Sequence, residues 1–181
     1  MTMRRLPFTV PVLDTGRLLL RAVSLGDIAD LAAIYGDPEV MRYASDPAFT
    51  NHREYLQTVA SIERNLAQDV AIEWGAVLKS SGVLIGVVGL HNFDADQAEL
   101  GCLLARAHWG QRLMREALLA VLDFAPGVGL TRLTAQIDAG NARSQRLFAR
   151  LECAQPGGNG KPTAWVKVAP VVAGQSPEAG C

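Results

Sequence analysis

Between Val70 and Ala105 three apolar segments of strand length follow one another: "VAIEWGAVL" (70–78), "VLIGVVGLH" (83–91) and "QAELGCLLA" (97–105). Only "KSSG" and "NFDAD" separate them, and both separators are turn chemistry. Strands joined by such short links pair as consecutive hairpins, because a parallel connection needs a crossover of about a dozen residues or more. An antiparallel meander is therefore the element around which the rest of the chain is arranged.

The flanks change period. "RLLLRAV" (17–23) reads as a short strand. In "SLGDIADLAAIYGD" Ser24 stands as N-cap with Asp27 three residues on, and apolar residues at 28, 31, 32 and 35 give helical spacing. Pro38 opens a short second helix, "PEVMRYA". Residues 51–68 form a third, with Leu56, Val59, Ile62 and Leu66 on one face. After the meander, 111–125 carries the strongest helical stripe, Leu113, Ala117, Leu118, Val121 and Leu122, and "PGVG" stops it. "LTRLTAQID" (130–138) alternates like a strand, "NARSQRLFARL" (141–151) is a short helix with Asn141 as N-cap, "QPGGNGKP" is a loop and "TAWVKVA" a last strand. The fold class expected is α/β (α+β): a central mixed, mostly antiparallel sheet flanked by helices. One domain over 1–170 and a fraying tail over 171–181 complete the organisation.

Composition excludes several classes. The chain has 17 basic and 18 acidic residues and a net charge of −1, which leaves no nucleic-acid footprint. No apolar run has membrane-spanning length, and the N-terminal stretch lacks the apolar region of a signal peptide. Cys102, Cys153 and Cys181 are scattered, as are His52, His91 and His108; none has metal-ligand spacing, so no metal is expected. Free thiols suit a reducing, cytoplasmic setting.

One stretch carries chemistry. "HWGQRLMREAL" (108–118) runs from a strand into a helix N-terminus, where unpaired backbone N–H groups and a partial positive charge form an anion site. Arg112 and Arg115 add cations, although an arginine at such a place is also a common solvated residue.

The meander, the "WG" turn, "REALLAVLDFA" and "LTRLTAQIDAGNARSQRLFARL", in that order, together resemble the GNAT N-acetyltransferases. "LDTGRLLLRAVSLGDIADLAAIYGDPEVMRYA", "LIGVVGLHN" and "AELGCLLARAHWGQ" resemble more narrowly the RimJ/RimL-like branch, which acetylates ribosomal-protein N-termini. The resemblance covers about residues 13–153. It implies acetyl-CoA as co-substrate and a primary amine as acceptor, either a protein N-terminus or a small molecule. Monomer and homodimer both remain open.

The resemblance also implies roles. Backbone groups of Leu103 and Leu104 would hold the pantetheine arm and thioester, with the N–H near Leu103 as oxyanion donor. The pyrophosphate loop, of family pattern [Q/R]-x-x-G-x-[G/A], falls on Trp109, Gly110, Gln111, Arg112, Leu113 and Met114, with Arg115 beside it. Arg112 stands where the pattern has glycine, and Met114 where it has glycine or alanine. "NARS" matches the family's N-x-x-S: Asn141 would contact the pantetheine arm and Ser144 protonate the leaving thiolate. Phe148 continues that face where many relatives have tyrosine. Glu152 and Cys153 depart from the family's usual helix end. Glu99 and His91 are the candidate bases, with Glu73 behind them; Glu99 shares a strand face with Gly101 and Leu103. Tyr43, Phe49 and Trp74 are candidate acceptor contacts. The second reading is a non-catalytic binding protein of the same fold whose acetyl-CoA site has degenerated.

Overall fold

The computed structural model describes residues 6–152 and the backbone of 165–170. In chain order the elements are β1 (Leu13–Asp14), β2 (Leu18–Arg21), α1 (Ile28–Tyr35), α2 (Pro38–Met41), α3 (His52–Ala67), β3 (Ile72–Leu78), β4 (Leu84–Asp94), β5 (Gln97–Leu104), α4 (Leu113–Phe124), β6 (Arg132–Ile137), α5 (Ala142–Glu152) and β7 (Trp165–Pro170). The expected loop at 155–162, Cys153 and the tail from 171 lie outside the described residues.

The seven strands among the described residues join one sheet in the order β1-β2-β3-β4-β5-β6-β7. The first five pair antiparallel, whereas β6 lies parallel to both β5 and β7. The meander is as the turn sequences demand. The two-residue β1 has no pattern long enough to read from sequence, and β4 runs on through Asn92, Phe93 and Asp94, so that the turn itself is only Ala95 and Asp96.

Helices cover both faces, which is why β4 is buried continuously from Leu84 to Leu90. One core lies between the sheet and α4 and α5; the other lies under α1, α2 and α3. On β3 the alternation divides the two: Ile72, Trp74 and Ala76 enter the first, and Val77 the second. The α4 stripe is buried as expected, and each large member contributes about 1.5–3 kcal/mol of apolar burial, well above helix propensity. On α3 only Val59 and Ile62 are buried. Leu56 lies at the edge of the stripe and is 39% exposed, so it is not a core residue.

Ser24 stands at the N-cap as read, and Asp27 does more than complement a helix dipole. Its carboxylate accepts from the Ser24 N–H and Oγ–H at 2.8 and 3.0 Å. It also accepts both Arg21 guanidinium N–H groups, at 2.9 and 2.7 Å. These bonds tie β2 to the start of α1, and they hold the Asp27 carboxyl below its ordinary value.

Candidate active site

The sheet is not continuous across β5 and β6. Gln97, Ala98 and Glu99 pair with Arg132, Leu133 and Thr134; beyond them the two strands part, although β5 runs on to Leu104 and β6 to Ile137. The backbone of β5 along this split has no strand partner on the β6 side. Which groups face it follows from the ladder. Ala105 N–H donates to Ile85 O at 2.8 Å, so Leu103 and Gly101, two and four residues back, also turn their backbone groups to β4. Cys102 and Leu104 turn theirs to the split. Leu103's own N–H is thus turned to β4, and of the N–H groups near Leu103 it is that of Cys102 that faces the split. Leu104 O is capped by the Trp109 indole N–H at 2.8 Å. Burial also pushes the Cys102 thiol up to about 12, which removes it as a nucleophile.

The chain leaves β5 through a short 3₁₀ turn, Arg106–His108, and reaches α4 by Trp109, Gly110, Gln111 and Arg112. Gly110 has φ +77° and Arg112 has φ +61°, so the loop turns through two left-handed residues. No side chain caps α4, whose first N–H groups stay available. Gln111 and Arg112 are exposed. Leu113 and Met114 are not: both side chains are buried in the core, so only their backbone can face a ligand. Met114 does not crowd the loop; its methyl sits over Gly86, where a Cβ would come within 3.3 Å of it. Arg112 pays a conformational penalty for its left-handed backbone. Arg112→Gly is expected to raise stability by about 1 kcal/mol. A calorimetric midpoint that falls instead would mean that the arginine side chain holds the loop.

Across the split, Asn141 Oδ1 accepts from Ser144 N–H at 3.1 Å, so Asn141 is the N-cap of α5 and both residues sit at its first turn. Phe148 departs from expectation. It is 3% exposed and packs in the core. Two contacts that sequence reasoning missed hold the approach to α5, one from the loop after β5 and one from the segment after α2. The Arg143 guanidinium lies 3.2 Å from the centre of the Trp109 ring, and the Tyr43 hydroxyl donates to Gly140 O at 3.0 Å.

On the sheet face under α1 and α3, Gly89 pairs with Gly101 to give a floor without side chains. Glu73 and His91 lean over it: a Cβ at Gly89 would lie 2.8 Å from Glu73 Cγ, and one at Gly101 3.1 Å from His91 Cε1. Glu99 accepts from Asn92 Nδ2 at 2.9 Å and from Gln136 Nε2 at 3.2 Å, and His91 Nε2 is 3.6 Å from it. The His91 contact, with help from Asn92 and Gln136, holds the Glu99 carboxyl below its ordinary value, which makes it a poor proton acceptor. Burial pushes the Glu73 carboxyl the other way. Beside this floor a cavity of about 370 Å³ opens between α3 and the 46–49 segment, with Phe49 and Glu73 in its wall. Phe49 stacks on Tyr35 at 4.9 Å and meets Tyr55 edge-on at 5.2 Å. Trp74 faces the other way. It is fully buried against Phe124 and is core, not a wall of any cleft.

Residues 17–154 match the family profile of the acetyltransferase (GNAT) domain. The chain belongs to the GNAT acetyltransferases. This GNAT domain is 28% identical over 148 residues to the uncharacterized N-acetyltransferase p20 of Bacillus licheniformis, covering 80% of this chain and 83% of that relative. RimJ of Mycobacterium smegmatis, solved in complex with CoA-disulfide, superposes with a TM-score of 0.71 at 16% identity, covering 80% of this chain and 76% of that one. RimL, a ribosomal L7/L12 alpha-N-protein acetyltransferase, superposes with a TM-score of 0.68 at 18% identity, covering 78% and 79%. Among the described residues of this GNAT domain no helix is long and apolar enough to cross a membrane.

Proposed function

We propose that this protein transfers an acetyl group from acetyl-CoA to a primary amine, a protein N-terminus or a small molecule, by direct attack with both substrates bound in the cytoplasm. The observation that carries the reading is the parting of β5 from β6 after Glu99 and Thr134, which opens a backbone-lined slot in the middle of the sheet. Acetyl-CoA supplies an activated acyl thioester. The residues present suit it: backbone groups of Cys102 and Leu104 on one lip, Asn141 and Ser144 on the other, and the uncapped α4 N-terminus with Gly110, Gln111 and Arg112 at the phosphate end.

In this reading the Cys102 N–H polarises the acyl oxygen and the Ser144 hydroxyl delivers a proton to the departing sulfur. His91, oriented by Glu99 and held over the glycine floor, accepts the proton of the incoming amine. Glu99 is then a positioning residue. A peptide α-amine, with pKa of about 8, needs less assistance here than a lysine side chain at about 10.4.

Saturating acetyl-CoA, at about 100 times its dissociation constant, is expected to add about 2.7 kcal/mol of stability in a thermal-shift titration. Release of free thiol on adding an amine then reports turnover. The absence of a shift at millimolar acetyl-CoA would refute the reading; a shift without thiol release for any amine would favour the non-catalytic alternative.

A further inference from the structure

The loop that runs from β5 into α4 is held from outside itself. Arg17, in the turn between β1 and β2, donates Nη1–H to Gln111 O at 3.0 Å and Nε–H to Glu116 Oε2 at 2.7 Å. Glu116, on the first turn of α4, also accepts the Arg17 backbone N–H at 2.6 Å and the Thr15 hydroxyl at 2.6 Å. A half-exposed ion pair on its own would hold little. Here the guanidinium is bound at two of its nitrogens, and its own backbone is fixed on the same carboxylate. It therefore meets the loop in one orientation.

What the contact fixes is a peptide plane. The peptide bond between Gln111 and Arg112 is trans, so the Gln111 carbonyl and the Arg112 N–H point in opposite directions. With the carbonyl on Arg17, the Arg112 N–H is turned away from the β1–β2 turn. The bond has a second effect. Gln111 O is the acceptor that the Arg115 N–H would take if α4 wound back by one more residue. It is spent on Arg17, and among the described residues neither the Arg112 nor the Arg115 N–H has an acceptor. The same bond restrains Arg112 at φ +61°, a backbone that glycine would adopt freely. We infer that Arg17 is a positioning residue for the diphosphate of the cofactor: acting through the Gln111–Arg112 peptide, it keeps the Arg112 and Arg115 N–H groups open to phosphate oxygens. This rests on the acetyl-CoA reading given above.

The test is a calorimetric titration of acetyl-CoA into the full chain and into its Arg17→Met, Arg17→Lys and Lys79→Met variants, each checked for folding by circular dichroism. Arg17→Met is expected to weaken acetyl-CoA at least about tenfold, because the 111–112 peptide loses its hold. Arg17→Lys keeps the positive charge but has no fork to span Glu116 and Gln111 O, so it should lose most of the same affinity. Should Arg17→Met not fold, Arg17→Lys carries the comparison. Lys79→Met separates loop position from general stability. Lys79 Nζ ties the same turn, through Asp14 Oδ1 at 2.6 Å and Thr15 O, and does not touch the loop. This variant should bind acetyl-CoA within about twofold of the wild type, whatever its melting temperature. In turnover, the Arg17 variants should raise KM for acetyl-CoA and leave kcat within about twofold, since the loop grips an end remote from the thioester. Affinity within about threefold of the wild type in Arg17→Met, full affinity in Arg17→Lys, or an equal loss in Lys79→Met would overturn the inference. A wild-type chain that binds no acetyl-CoA overturns the acetyl-transfer reading and this one with it. Tight binding by the wild type and by every variant overturns the positioning role alone.

Discussion

Trp74→Ala should lower the unfolding free energy by about 3–5 kcal/mol. The ring is fully buried in the middle of the sheet, with its edge-to-face partner Phe124 at 5.2 Å. Removing it leaves a cavity between β3 and α4 that the surrounding strands, paired on both sides, cannot collapse to fill. It also strands Pro11 O, which accepts the indole N–H at 2.8 Å. Trp74→Phe isolates this second loss: the ring contact survives, the hydrogen bond does not, and about 1–2 kcal/mol should disappear. Urea unfolding monitored by circular dichroism measures both. A loss below about 1 kcal/mol for the alanine variant would contradict the core position and return Trp74 to the list of acceptor contacts.

Asp27→Ala comes next, at about 3 kcal/mol, the lower end of the range for breaking a buried ion pair. The lower end applies because the Arg21 side chain is 32% exposed and water can take over part of its solvation. The loss has a pH signature. The Asp27 carboxyl is held below its ordinary value in the folded protein, first by the Arg21 hydrogen bonds. Its contribution is therefore fully present above the unfolded-state value of about 3.9 and is lost as pH falls through the lower folded value. The gap between wild type and variant should be constant from neutral pH down to about 5 and should close in more acidic solution. A gap that is the same at pH 3 as at pH 7 would show that the bonds to Asp27 do not depend on its charge.

Local patterns in the chain foretell what local forces decide. The apolar runs at 70–78, 83–91 and 97–105 with their turn sequences predict the meander, the α4 stripe predicts its buried face, and Asn141 ahead of Ala142 predicts the α5 cap. What escaped depends on register. Alternation says that Glu73 and Trp74 point to opposite faces; it does not say which face holds the cleft, so Trp74 was an aromatic candidate on the wrong side. The same parity separates Cys102 from Leu103, one residue apart, and only the β4–β5 ladder determines which one turns its backbone to the split. The split itself is a relation between two strands whose paired residues, such as Glu99 and Thr134, are far apart in sequence, beyond any periodicity. Phe148 shared a helix face with Ser144 by spacing, yet the packing of α5 draws that part of the face into the core. One signal was available and underused: Glu73 is a lone acid inside an apolar strand, and such a residue seldom lies there without a task.

Strand order in the sheet has a consequence for how the chain comes together. Each strand's neighbour in space is its neighbour in sequence, from β1 to β7. No strand has to be inserted between two already paired, so loop closure at each step spans only the segment just added. During synthesis from the N-terminus, each new strand finds the edge left by the one before it. The meander is complete at Leu104, before β6 exists, and β6 then docks along only three residues of β5. In such a vectorial assembly the cleft is a late product: a finished meander receives its second lip only when β6 docks.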